Sequence, residues 1–274
     1  MKKLLLAFEG TRFPENAFEF ARKMNEIQPV FLTGIFLPQA DYANLWSYTD
    51  AISGSIFIPF TENAGEGNLE TNIEMFENLC KKYKIACHVH RDFYDFALPQ
   101  LKKETRFADL LIFGVDPYNK KLFTAEPNEH LQDILHQVEC PVLVVPDIFE
   151  YPVTNILSYD GSESSVYAIK QFAYLFPEMA NHPTLLVYAG ENKDSVIPEK
   201  ENIEELAARH FPSLTIMKLD INPGKYFNTW LSERKSAILI SGAFGRSSFS
   251  LTIKKSFISE IINEHKLPLF ITHR

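Results

Sequence analysis

The sequence predicts an α/β chain made of two similar units, each a five-stranded, mainly parallel sheet with helices on both faces. Three observations lead there. Short apolar runs alternate with helical patterns along the whole chain, the signature of βα units. The runs are apolar at nearly every position, as strands buried on both faces require. The chain also repeats itself. Lys3–Phe8 followed by Glu9-Gly10-Thr11 returns as Asn155–Tyr159 followed by Asp160-Gly161-Ser162. Near the end of each copy, Asp109–Gly114 and Cys140–Val145 return as Ser236–Gly242 and Leu267–Thr272.

The first copy opens with the strand Lys3–Phe8. Its apolar run is too short for the core of a signal peptide, and its counterpart lies mid-chain, so it reads as a strand. The strands expected after it are Val30–Phe36, Ala86–Arg91, Leu110–Phe113 and Val142–Val145. Helical patterns fall between them at Pro14–Met24, Leu69–Lys82, Phe96–Thr105 and Asn128–His136. The second copy gives strands at Asn155–Tyr159, Thr184–Tyr188, Leu214–Leu219, Ala237–Ile240 and Leu269–Thr272. Its helices are expected at Ser164–Phe176, Glu199–Arg209, Lys225–Glu233 and Ser256–Glu264. No segment approaches the length of a membrane span.

A chain of 274 residues suits two domains, and the repeat divides it near Phe149–Pro152 into 1–149 and 150–274. Hydrophobic residues make up 46% of it and aromatic residues 13%, enough for real cores and too much for a disordered chain. The net charge of −8 argues against a nucleic-acid or anionic-membrane surface. Cys80, Cys87 and Cys140 are few and odd in number. They fit a reducing, cytoplasmic setting better than a disulfide framework. Between Gly10 and Gly114 the first copy carries about 23 residues more than the second does between Gly161 and Gly242. They fall most naturally in Pro38–Asn68, a lid on its own domain or a partner-binding surface.

Two motifs recur at expected strand ends. One is Ile156-Leu-Ser-Tyr-Asp160-Gly161-Ser162 leading into a helix. The other is Gly242-Ala-Phe-Gly245, nine residues, then Lys255-Ser256. With these the chain resembles, over nearly its whole length, a tandem universal stress protein of the UspA superfamily. Nucleotide-binding members of that family carry a Gly-x2-Gly-x9-Gly-(Ser/Thr/Asn) loop after strand 4. Here Lys255 stands in place of the third glycine.

The resemblance implies two Rossmann-like domains with sheet order 3-2-1-4-5, and pairing of the two halves through their fifth strands, Val142–Val145 and Leu269–Thr272. It also implies an adenine nucleotide (ATP, ADP or AMP, with magnesium) in the C-terminal domain. In such a sheet ligands bind at the carboxyl ends where strand order reverses. Asp160 would accept a ribose hydroxyl there, with Gly161 and Ser162 shaping the turn. Gly242 and Gly245 would let backbone N–H groups approach phosphate, and Ser256 would cap a helix or donate to phosphate. Lys255 either obstructs or pairs with phosphate, and Tyr188, where the family has a small aliphatic residue, either stacks on a base or fills its pocket.

The first copy reads as structural. Glu9 replaces the aspartate, Pro117 and Pro127 remove N–H groups from glycine positions, and Asp116 adds negative charge facing an anion. Elsewhere, Cys87-His88-Val-His90 would set the cysteine on the opposite strand face from both histidines, which is poor for a metal. No nucleophile elbow is present, and no catalytic residue is assigned.

Three functions stand at this point. The first is a stress-response binding or regulatory protein holding a nucleotide in its second half. The second is an interaction protein with both pockets degenerate, whose partner the sequence does not name. The third is a slow nucleotide hydrolase on the same scaffold. Self-association into a homodimer beyond the intrachain pair is open.

Overall fold

The computed structural model describes residues 1–9, 13–37, 66–90, 97–114, 138–190, 196–221, 223–242 and 267–272. The strand expected at the start forms as β1 (Lys2–Glu9), and α1 (Glu15–Ile27) follows it. Its Ala17, Phe18, Phe20, Ala21 and Met24 recur at helical spacing and are buried, which fixes the face laid on the sheet. Next come β2 (Val30–Leu37), α2 (Glu66–Lys82), β3 (Ala86–His90), α3 (Ala97–Thr105), β4 (Leu110–Gly114) and β5 (Val142–Val145). After a connection through residues 146–153, β6 (Thr154–Ser158) and α4 (Glu163–Leu175) repeat the opening unit. The chain closes with β7 (Thr184–Gly190), α5 (Lys200–His210), β8 (Leu214–Asp220), α6 (Pro223–Ser232), β9 (Ala237–Gly242) and β10 (Leu269–Thr272). The helices expected at Asn128–His136 and Ser256–Glu264 lie outside the described residues, as does the insertion up to residue 65.

The strands form one ten-stranded sheet in the order β3-β2-β1-β4-β5-β10-β9-β6-β7-β8. Each half is therefore a 3-2-1-4-5 sheet, parallel throughout. The halves join where β5 and β10 run antiparallel, pairing Val144 with Leu269, Leu143 with Phe270 and Val142 with Ile271. In the repeat Leu143 corresponds to Phe270, so the pseudo-twofold axis passes between these two residues. Every residue of both joining strands is buried. Burying one such aliphatic side chain stabilises by about 1.5–3 kcal/mol, so this seam is continuous core.

Two apolar clusters sandwich the sheet. One holds α1, α2, α4 and α5 through residues such as Phe20, Phe76, Phe172 and Ile203, and it runs across the seam through Leu143 and Phe270. The other holds α3 and α6 through Leu101, Phe227 and Leu231. Burial on both faces holds for the central strands β4, β5 and β10. It fails for β3 and β8, in which every position is exposed or half-buried. These are the two outer edges of the sheet, where solvent replaces a neighbouring strand and polar side chains protect the open backbone.

Candidate functional site

Strand order reverses in the second half between β6 and β9. At the carboxyl end of β6 the chain makes a tight turn: the Ser162 N–H donates to Asp160 Oδ1 at 2.9 Å. This Asx turn explains why a short acid sits there, since its carboxylate must reach back to a backbone two residues on. Gly161 takes φ +81°, and a Cβ on it would lie 2.7 Å from the Pro198 side chain. Glycine is required twice over, for the left-handed backbone and for the contact.

Ser162 is the N-cap of α4. Its Oγ accepts from the Ser165 N–H at 3.2 Å, while the Ser165 hydroxyl donates to the Ser162 carbonyl at 2.8 Å. With Glu163 already in the first turn, this helix satisfies its positive end with its own groups.

At the carboxyl end of β9, Gly242 stands against that same first turn. An added Cβ would meet the Ser164 carbonyl carbon at 2.4 Å and the Ser165 nitrogen at 2.5 Å. The Asp160 turn and Gly242 do come together, and what joins them is direct backbone packing of α4 on β9. Helix packing alone thus requires a glycine here, whatever it contributes toward a phosphate.

Tyr188 lies on β7, half-buried, packed against the cluster that holds Tyr159 and Ile197. The Tyr159 hydroxyl donates to the Pro198 carbonyl at 2.8 Å. Burial pushes the Tyr159 phenol above its usual range, and Glu199, Asp160 and Tyr188 add to the effect. Two carboxylates therefore act on this spot. Gly245, Lys255 and Ser256 lie outside the described residues.

Tyr159, Pro198 and Glu199 were not legible as site residues. Pro198 reaches Gly161 from another loop, and the next residue, Glu199, takes a left-handed φ of 45°.

In the first half, Glu9 ends β1 and Gly114 ends β4. Gly114 likewise faces the helix after the first strand, where a Cβ would lie 2.7 Å from Asn16 Oδ1 and 2.9 Å from Pro14 Cβ. Gly10, Asp116, Pro117, Pro127 and Asn128 fall outside the described residues. On β3, Cys87 and Val89 pack on one cluster, while the His88 and His90 rings meet at 5.0 Å. His90 Nδ1 sits 3.0 Å from Glu104 Oε2. Among the described residues no group of three or more His, Cys, Asp and Glu is arranged to hold a metal, and no helix is long and apolar enough to cross a membrane.

This pair of 3-2-1-4-5 sheets has counterparts among solved structures. A universal stress protein from Archaeoglobus fulgidus superposes with TM-score 0.67 at 15% identity, covering 100% of this chain and 96% of that one. The chain has the universal stress protein fold. A putative universal stress protein from Pseudomonas aeruginosa UCBPP-PA14 matches with TM-score 0.56 at 13% identity, over 100% of this chain and 93% of its own. A functionally unknown protein from Pseudomonas aeruginosa PAO1 gives the same score and identity, with 92% of its length covered. No family model and no curated protein sequence matches the chain. At these identities the universal stress protein fold is shared through topology, and activity does not travel with it.

Proposed function

We propose that the chain is a regulatory binding protein of the stress response that takes an adenine nucleotide in its second half, at the carboxyl ends of β6 and β9. The observation that carries this is the meeting of the Asp160 turn with Gly242 at the one place in that half where strand order reverses, the position at which open α/β sheets bind ligands. Asp160 would accept a ribose hydroxyl and Tyr188 would lie against the base. The phosphates, with magnesium, would extend toward Gly245, Lys255 and Ser256. Residues 1–149 then act as a structural domain supporting 150–274. Three free thiols suit a cytoplasmic protein.

A thermal-shift titration with ATP and AMP, with and without magnesium, tests the reading. At one hundred times the dissociation constant, binding adds about 2.7 kcal/mol to stability. Asp160→Asn keeps an oxygen for the Ser162 N–H and loses the charge, so the nucleotide shift should shrink while the unliganded melting temperature holds. Glu9→Ala should leave the shift intact. No stabilisation at millimolar nucleotide removes the proposal. It would favour instead an interaction protein whose pocket is filled from within, a reading that the packing of Tyr188 and the seat of Pro198 on Gly161 support.

A further inference from the structure

The two halves also face each other across a cleft of about 330 Å³, taken out to its open mouth. Its first-half wall is the end of α1 and the start of β2, with Met24, Ile27 and Val30. Its second-half wall is the end of α4 and the turn beyond it, with Leu175, Phe176 and Met179. Tyr151, in the connection between the halves, lines it too, and its hydroxyl donates to Met179 Sδ at 3.9 Å. Lys2 and Glu178 bring one charge from each half to the same lining. Lys2 Nζ donates to Gln28 Oε1, a neutral partner, at 2.7 Å. Among the described residues Lys2 and Glu178 form no ion pair with each other.

We propose that this cleft binds a single free α-amino acid with an aliphatic or thioether side chain. The ligand carboxylate takes the Lys2 ammonium in place of Gln28 Oε1, and the ligand ammonium turns to the Glu178 carboxylate. The side chain lies on Met24, Ile27, Leu175 and Phe176. Three properties select this class. An apolar lining rejects polar side chains, whose burial without partners is costly. Opposite charges on one cleft favour a zwitterion over a fatty acid, whose lone carboxylate would sit beside Glu178 with no cation of its own to offer it. The cleft is near the lower end of the size range of ligand pockets, which suits one residue and not a peptide.

Burial holds the Lys2 ammonium below its usual range, against the opposing fields of Asp109 and Glu178. Asp109 is engaged elsewhere, accepting from the Lys3 N–H at 2.8 Å. A cation short of water and without a carboxylate in contact gains most from an incoming anion. Met24 and Met179 are flexible thioethers, able to shift around side chains of somewhat different shape. The ligand would touch both halves and so tie them together at a second place besides the seam. The site lies at the amino ends of β1 and β2 and is independent of any nucleotide at the carboxyl ends of β6 and β9.

The test is a thermal-shift and calorimetric titration of the full chain with free leucine and methionine at millimolar concentration. Leucinamide, which lacks the carboxylate, N-acetylleucine, which lacks the ammonium, and hexanoate serve as comparisons. Leucine and methionine should raise the melting temperature, and each comparison compound should bind roughly tenfold more weakly or not at all. Lys2→Gln should weaken leucine to the level of leucinamide, and Glu178→Gln should weaken it to the level of N-acetylleucine. Asp160→Asn should leave the leucine response unchanged. No shift with either amino acid overturns the proposal. So does a shift matched by leucinamide, N-acetylleucine or hexanoate, a response that survives both charge variants, or one lost in Asp160→Asn. The wild-type ranking decides by itself, whether or not the variants fold.

Discussion

Gly114 and Gly242 end the fourth strand of their halves, and each stands against the first turn of the helix that follows the first strand. The difference is what they touch. Gly114 faces the side chains of Asn16, Pro14 and Ala17, whereas Gly242 faces backbone atoms of Ser164 and Ser165. The helix starts explain this. In the first half α1 begins after Pro14, which makes no side-chain cap, and Asn16 is turned sideways to donate to the Val145 and Pro146 carbonyls at 2.9 Å each. In the second half Ser162 caps α4 within its own turn. One half thus anchors its helix to the neighbouring strand through a side chain, and the other presses helix backbone directly onto strand backbone. The same glycine in the same register therefore serves two different joints.

The largest effect should come from breaking the backbone joint. Gly242→Ala drives a Cβ into atoms that move only if α4 moves, and should cost about 3 kcal/mol of unfolding free energy in urea titration. Gly114→Ala meets side chains, of which Asn16 can rotate only by giving up its own hydrogen bonds while the Pro14 Cβ stays in place, and should cost about 2 kcal/mol. Equal losses would erase the distinction drawn between the two joints. Next in size, Asn16→Ala removes both bonds to the Val145 and Pro146 carbonyls, and about 1.5 kcal/mol should be lost. If the melting curve does not move, α1 is held by its apolar face alone. The smallest contrast is at the caps. Ser162→Ala should cost about 1 kcal/mol, while Pro14→Ala, which loses no cap bond, should stay within about 0.5 kcal/mol of wild type.

Most of the fold was legible because βα alternation and the repeat are local signals: β5 and β10 fall on the residues expected, and most of the other elements match to within their end residues. Edge burial was not. The runs that became β3 and β8 look like the central strands until their neighbours are known, and strand order is a property of the whole sheet. The candidate site was legible only in part, for the same reason. Asp160-Gly161-Ser162 announces a turn into a helix, and that turn is present. That Pro198 rests on Gly161, or that Gly242 yields its side-chain space to Ser164 and Ser165, depends on contacts between segments far apart in the chain. The opposed faces of Cys87 and the His88–His90 pair followed from strand period alone, and the packing agrees.

At the seam Leu143 pairs with Phe270, and the pair is unequal in size. In a dimer of identical chains the residue on a twofold axis must meet its own copy, so its size has to suit itself. Covalent fusion lifts that condition. A leucine meets a phenylalanine, and the larger ring turns into the second half, packing edge-on against Phe172 at 5.5 Å and Phe176 at 5.8 Å. Two first halves would set leucine against leucine and two second halves phenylalanine against phenylalanine, so only the whole chain pairs unlike side chains at this point of the seam.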